Sequence, residues 1–333
     1  MRTRILGSQL RPWCAARPTL RSVTQPGYIK YTSIELVHPP ISSQEAVWYE
    51  QAGDAELEEV LRGSKLYLIG GRPDARFVNF DFENDVLEFD LVVGGQVVCR
   101  NRVDVYALEH VQNRSTETVD VELGDKAIRI WEHGSEEKEA LLDWFTVDKL
   151  MLDASRGFPG LEGVVTAAEL ITFDLLYVGI ATETDSFDRL IQRGHKAKAE
   201  ILANEPQRFP GARVADEIYF FLMRADPLFI RMIDENWKPD PGPSDGQIVA
   251  DLEKALVSQL GPKYNRIRYK RYPAGKDGLS GSLLDRYGYG IAENLVFRTA
   301  MGEFRGRRDA QTGLAAGDLI FVDESGVAVL ADG

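Results

Sequence analysis

Cysteine is scarce in this chain of 333 residues: only Cys14 and Cys99 occur. Two thiols so far apart give neither a disulfide framework nor a paired metal-ligand spacing, which excludes a stapled secreted scaffold and a thiolate zinc site. A reducing cytoplasm suits them. No apolar run approaches the roughly 20 residues that a membrane-spanning helix needs. Positive charge is also in deficit, with 39 Lys and Arg against 52 Asp and Glu and a net charge of −13. That balance excludes a protein that coats nucleic acid uniformly, because phosphate binding depends on cations that release counterions. Any phosphate site must be a basic island in an acidic background.

What is present is enough for a packed core. Hydrophobic residues make up 44% and charged residues 27%, so wholesale disorder is excluded. The length suggests two domains. Residues 1–34 stand apart, with Arg2, Arg4, Arg11, Arg17, Arg21 and Lys30 and no acid before Glu35. Arg-rich, acid-poor leaders include transit peptides, whereas Pro12, Arg17 and Pro18 interrupt any signal-peptide core. Residues 1–32 read as a disordered basic tail.

Residues 33–155 read as a mainly β domain of open role. Lys65–Ile69, Arg76–Phe82 and Val86–Val93 are rich in β-branched and aromatic residues, and Gly70-Gly71, Asn84-Asp85 and Gly94-Gly95 punctuate them. Val119–Leu123 and Lys126–Trp131 form a predicted hairpin around Gly124-Asp125. A helix is expected over Gln44–Leu61. Tyr67-Leu-Ile-Gly70 reads as structure only. This acidic half carries no nucleotide or metal motif.

After the hinge-like Arg156–Gly160 the pattern changes. Strands are expected at Leu170–Val178 and Ala215–Arg224, and helices at Ser186–Ala203 and Gly246–Leu260. Pro227, Pro239, Pro241 and Pro243 mark a loop before the second helix, and Leu319–Val322 with Val327–Leu330 form a closing hairpin.

Three pieces of this half carry chemistry together. Tyr177-Val178-Gly179 ends a strand. Arg189 lies on the next helix with His195 beyond it. Glu253 lies on a later helix that runs into Pro262-Lys-Tyr-Asn265, twelve residues from Glu253 to Asn265. This order, over about residues 170–272, resembles the GIY-YIG nuclease superfamily. The resemblance implies an α+β fold: the mainly β amino-terminal domain, then a small antiparallel sheet with helices in residues 156–333, ending in a β extension. It implies a magnesium- or manganese-dependent endonuclease, bacterial in its Arg-, Ala- and Gly-rich usage, with DNA favoured over RNA.

Hydrolysis of a phosphodiester needs an activated water and stabilisation of developing negative charge. Glu253 would hold a hydrated divalent cation, and Arg189 would clamp phosphate oxygens. Tyr177 or His195 would take a proton, His195 being the easier base by pKa. Asn265 would fix Glu253 or the phosphate. The family's first tyrosine is expected about ten residues before Tyr177, where Gly163–Ala168 has none. His195 lies six residues after Arg189 rather than four, so the helix must distort near Gly194. The basic island is Lys263, Tyr264, Arg266, Arg268, Tyr269, Lys270 and Arg271, closed by Tyr272, in which cations grip phosphate and tyrosines stack on bases. Arg305, Arg307 and Arg308 form a smaller cluster.

Simpler readings exist for each residue: Arg189 as an ion pair with Asp185, His195 as a helix cap, and the island as a charge-protected edge strand. Two other functions compete, a catalytically degenerate nucleic-acid-binding module and a protein-interaction module in which the acidic half or the basic segment docks a partner.

Overall fold

The computed structural model describes residues 28–134, 140–181, 183–231, 242–275, 278–280, 282, 284 and 286–332. The basic tail before residue 28, with Cys14, and Pro239 and Pro241 of the proline-rich link lie outside the described residues.

Leu66–Gly71 is apolar on both faces, and every residue of it is buried. Such a strand belongs inside a sheet that is covered on both sides, and the architecture follows from it. In chain order the elements begin β1 (Tyr28–Leu36), β2 (Ile41–Ser42), α1 (Ser43–Ala52), α2 (Ala55–Arg62), β3 (Leu66–Gly71), β4 (Ala75–Glu83), β5 (Val86–Val93) and β6 (Gln96–Asp104). They continue with α3 (Glu109–Gln112), β7 (Val119–Leu123), β8 (Ile128–Glu132), β9 (Leu141–Phe145), α4 (Val147–Ser155), α5 (Ala168–Ile171) and β10 (Thr172–Ile180). A π-helical turn (Asp188–Gln192) precedes α6 (Lys196–Asn204), α7 (Val214–Glu217), β11 (Ile218–Arg231) and α8 (Asp245–Leu260). The chain closes with β12 (Arg286–Ile291), β13 (Val296–Thr299), β14 (Gly302–Arg305), β15 (Leu319–Asp323) and β16 (Gly326–Leu330).

One large sheet has the order β14-β13-β10-β3-β11-β1-β12-β15-β16, with β2 alongside β11. It is mixed, since β1 with β12 and β10 with β13 run parallel. Strands β10 and β11 flank β3, both antiparallel to it. On one face α8 buries Leu252, Leu256 and Leu260 against Phe221, Tyr289 and Phe297. The other face packs Tyr67, Ile69 and Phe220 against Phe187, Leu190 and Ile201. Two three-stranded antiparallel sheets, β4-β5-β6 and β7-β8-β9, enclose a core of their own with Leu150 and Met151 of α4.

This corrects the expected fold class. The protein is mostly β, and a small antiparallel GIY-YIG-like domain following a separate mainly β one is not what the chain forms. Strands β1 and β3 leave the first half to join the large mixed sheet of the second. The reason is physical: period-two alternation shows that a strand exists but not which strand it pairs with. The two-faced burial of β3 was the available sign that it needed partners from elsewhere.

Smaller corrections have local causes. The single helix expected over 44–61 is broken at Gly53, which takes φ +62°, after which Asp54 caps α2 by accepting from Leu57 N–H at 3.2 Å. Residues 28–32, expected in the tail, are strand. Pro227 lies in β11 rather than a loop: it pairs with Thr32 on one side, beyond the point where β3 stops on the other, so its missing N–H breaks no ladder. Among the described residues no helix is long and apolar enough to cross a membrane.

Candidate active site: a tyrosine, histidine and glutamate cleft

Tyr177 lies near the end of β10, and Gly179 follows it by two residues on the same face. A Cβ at Gly179 would stand 2.6 Å from the Tyr67 ring and hydroxyl and 2.7 Å from the Tyr177 ring. Only a residue without a side chain allows both tyrosines to close over this point of the strand. Tyr67, on β3, is fully buried. Its ring stacks on Tyr177 with centroids 6.1 Å apart and planes 23° apart. His195 packs edge-on against both, at 5.5 Å from Tyr67 and 5.3 Å from Tyr177.

The distortion expected near Gly194 is present. The segment over 186–203 is not one helix: the π turn carries an i to i+5 bond from Arg193 N to Asp188 O at 2.9 Å, and Gly194 takes φ +72°. His195 then caps α6, its Nδ1 accepting from Lys198 N–H at 3.4 Å. The same ring places Nε2 3.0 Å from the Tyr67 hydroxyl.

The protonation state follows from these bonds. Burial, with Arg189 and Lys198 nearby, lowers the His195 pKa to about 4, so the ring is neutral at pH 7. With Nδ1 accepting, the hydrogen sits on Nε2 and is donated to the Tyr67 oxygen. The Tyr67 hydrogen then faces Tyr177. Burial raises the Tyr177 phenol and Glu253 adds to this, while Arg189 and the Tyr67 hydroxyl pull it down. His195 therefore has no lone pair left for a proton from water, contrary to the base role expected of it. Tyr177 ends this chain of hydrogen bonds.

Glu253 is half-buried on α8 and lines the same cleft, about 260 Å³ in volume, with Tyr177, His195, Tyr264, Asn265, Arg266 and Tyr269. Burial raises its pKa, and the Tyr269 hydroxyl donates to its Oε2 at 3.4 Å. Arg189 is exposed, and its charge is felt by Tyr67, Tyr177, His195 and Glu253. The simple ion pair with Asp185 does not form, because Asp185 pairs with Arg62 at 2.9 Å.

Asn265 takes a different part from the one expected. It is buried, accepts from Val178 N–H at 2.9 Å and donates to Val178 O at 2.7 Å. Together with the bond from Tyr264 N to Leu176 O at 2.8 Å, it pins the segment after α8 to the open edge of β10. Its work is to place Tyr177, not to touch Glu253 or phosphate.

Much of the basic island is held in place. Lys263 Nζ and the Tyr264 hydroxyl meet Glu205 Oε1 at 2.6 and 2.8 Å, and Arg266 pairs with Glu200 at 3.0 Å. Arg268 binds the carbonyl of Pro262. Tyr272 is buried and donates to Asp251 at 2.8 Å, so it is core. Lys270 and Arg271 are exposed and have no ion pair among the described residues. Arg305, Arg307 and Arg308 pair with Glu303, Asp332 and Glu35, which makes them structural.

Two residues escaped the sequence reading. Tyr67-Leu-Ile-Gly70 reads as structure only, since so short a pattern arises cheaply, and its similarity to Tyr177-Val-Gly is the one signal that Tyr67 offers. Asp251 is fully buried and accepts from Tyr272, Tyr289 and Leu279 N–H at 2.7–2.8 Å, tying α8 to the sheet two residues before Glu253. Comparison with family models, with curated proteins and with solved structures returns no match for this chain.

Proposed function

We propose that the protein is a metal-dependent endonuclease of the GIY-YIG kind, hydrolysing phosphodiester bonds in nucleic acid, with DNA favoured over RNA. The observation that carries this reading is that Tyr177, His195 and Glu253, distant in the chain, line one cleft with the Arg189 charge upon it. Tyr67 adds the phenol that was missing from its expected place. The centre is built into the large mixed sheet rather than into a domain of its own.

A magnesium or manganese ion fits the donor set. Among the described residues no group of three His, Cys, Asp or Glu gathers, so there is no all-protein cage. A single cleft carboxylate suits a hard ion that keeps most of its waters, and Glu253 would hold it. Such an ion supplies Lewis acidity toward phosphate and lowers the pKa of bound water.

The chain's own groups do the rest. Arg189, with no carboxylate ion pair among the described residues, would neutralise the non-bridging phosphate oxygens. Tyr177, a neutral phenol at rest, gives its own proton to solvent, a loss that the Arg189 charge and the hydrogen bond from Tyr67 favour against burial, and as phenolate takes the proton of the attacking water. His195 holds Tyr67 in the donating orientation and keeps α6 capped. Lys270 and Arg271 meet the phosphate backbone, and Tyr264 and Tyr269 line the cleft where a base can stack. A reducing cytoplasmic location belongs to the same proposal.

The test is incubation of supercoiled plasmid with Mg²⁺ or Mn²⁺. Nicking by the wild type that is lost in Glu253→Gln and Tyr177→Phe is the expected result. Plasmid retention without cleavage under either metal would instead support the alternative, a degenerate binding module, and no interaction at moderate salt would leave a protein-interaction module.

A further inference from the structure

A second cavity, about 570 Å³, lies between α1 and the two small sheets, and none of the residues used in the cleft lines it. That volume is within the range of small-molecule sites, and its position between packed units is where such sites concentrate. Trp48 and Tyr49 of α1 line it from one side and Trp144 of β9 from the other. Trp48 is 53% exposed, a large apolar surface left uncovered at the cavity. Behind these rings His38 stacks on Trp144 at 6.3 Å and meets Tyr49 edge-on at 5.6 Å, which fixes both ring faces.

The charge around these rings is one-sided. Glu45, Asp54, Asp74, Asp125, Asp148 and Asp216 all line the cavity, against Lys126 and Arg129. Both cations are already engaged, Lys126 with Asp74 and Arg129 with Glu122 at 2.9 Å. The half-buried Asp148 is matched by the buried Arg72 at 3.0 Å. Glu45 and Asp216 have no cationic partner among the described residues. Glu45 accepts the capping bond from Ser42 N–H at 2.7 Å and meets the Ser42 side chain, and burial raises its pKa.

We propose that this cavity binds a small amphipathic organic cation, an amine carried on an apolar body. Aromatic faces attract an ammonium through their quadrupoles, most strongly where water is excluded, and the rings cover the apolar part of the ligand. Glu45 and Asp216 supply the counter-charge. The same acidic lining repels nucleic acid, which separates this site from the cleft. Because the amine favours ionised Glu45, binding releases a proton and tightens as pH rises through the Glu45 titration.

Three probes of matched shape test this by calorimetry on the full chain: benzylamine, benzyl alcohol and benzoate. Benzylamine is expected to bind, benzyl alcohol about tenfold more weakly, and benzoate not measurably. Glu45→Gln keeps the capping box, which accepts glutamine at that position, and should weaken benzylamine about tenfold while leaving the alcohol unchanged. Asp216→Asn gives an independent second variant with the same direction. Equal binding of amine and alcohol, binding indifferent to both substitutions, or no binding of benzylamine overturns the proposal.

Discussion

The Tyr67 hydroxyl and His195 Nε2 stand 3.0 Å apart, joining the interior strand β3 of the large sheet to the residue that caps α6. The bond makes Tyr67 an acceptor from histidine and a donor toward Tyr177. Tyr67→Phe removes the link while keeping the ring that packs under Gly179. Cleavage should fall by about 10²- to 10⁴-fold, the range for a lost proton-transfer group, with the loss in kcat rather than KM. Because His195 Nε2–H then loses its acceptor, stability should also fall by about 1–3 kcal/mol. Unchanged kcat in Tyr67→Phe would remove this chain of hydrogen bonds from the mechanism.

Gly179→Ala tests the same geometry from the strand. The new methyl would press into Tyr67 and Tyr177, whose rings are already packed against each other and against His195. Rigid rings cannot yield as a flexible side chain would, so overpacking of about 1–3 kcal/mol is expected. Denaturant midpoints measure that part. Cleavage should drop further than stability alone explains, because the displaced hydroxyls lose their alignment.

The grouping of the candidate cleft residues was more legible in the sequence than the fold. That Tyr177, His195 and Glu253 line one cleft could be anticipated because order along the chain survives whatever lies between the pieces. Tyr67 was missed because β4 to β9 intervene between it and Tyr177, and local spacing cannot see across two inserted sheets. Strand existence was readable from alternation, as in β4, β5 and the β7–β8 hairpin. Strand pairing was not: the parallel contact of β1 with β12 joins opposite ends of the chain, and no periodicity encodes it. The part played by Asn265 was misread for a related reason, since a sequence shows an amide near a glutamate but not the open backbone of Val178.

Glu253 should cost the resting protein stability. Burial raises its pKa, so the folded state binds its proton more tightly than the unfolded one. The associated stability is present at low pH and is lost as pH rises from the ordinary glutamate value through the raised one. At pH 7 without metal, Glu253→Gln should therefore match or exceed the wild type in unfolding free energy, by about 1 kcal/mol or less. Adding Mg²⁺ should stabilise the wild type only, through binding to the native state. A variant that is less stable than the wild type would show that the Tyr269 bond outweighs the desolvation.

His38 and His195 make the opposite prediction for acid. Burial is the largest cause in both, and each pKa falls from 6.5 to about 4. Between those values the unfolded chain binds more protons, so stability is full above about pH 6.5 and declines as pH drops toward 4. For His38, only 8% exposed, the loss is on the order of 3 kcal/mol; His195 is more accessible and contributes less. His195→Asn retains a good helix cap and should flatten part of the slope between pH 6.5 and 4.5 in denaturant titrations. An unaltered slope would assign the whole effect to His38 and the other buried groups.

Charge pairing ranks the cations of the basic segment. A cation already held by a carboxylate displaces fewer counterions when phosphate arrives, because its charge is partly compensated beforehand. Lys263 is bound to the buried Glu205, whose side chain is 5% exposed, and is the least available. Arg266 pairs with Glu200 at the surface, where such bonds are weak, and is intermediate. Lys270 and Arg271 face solvent without a carboxylate among the described residues. Lys270→Ala with Arg271→Ala should therefore reduce the slope of log affinity against log salt by about 2 for duplex DNA. Arg307→Ala, which breaks the pair with Asp332 and the bond to the Ala316 carbonyl, should leave that slope as it was. Equal slopes in the wild type and the double variant would place the phosphate contacts elsewhere, on Arg189 and the cleft rim.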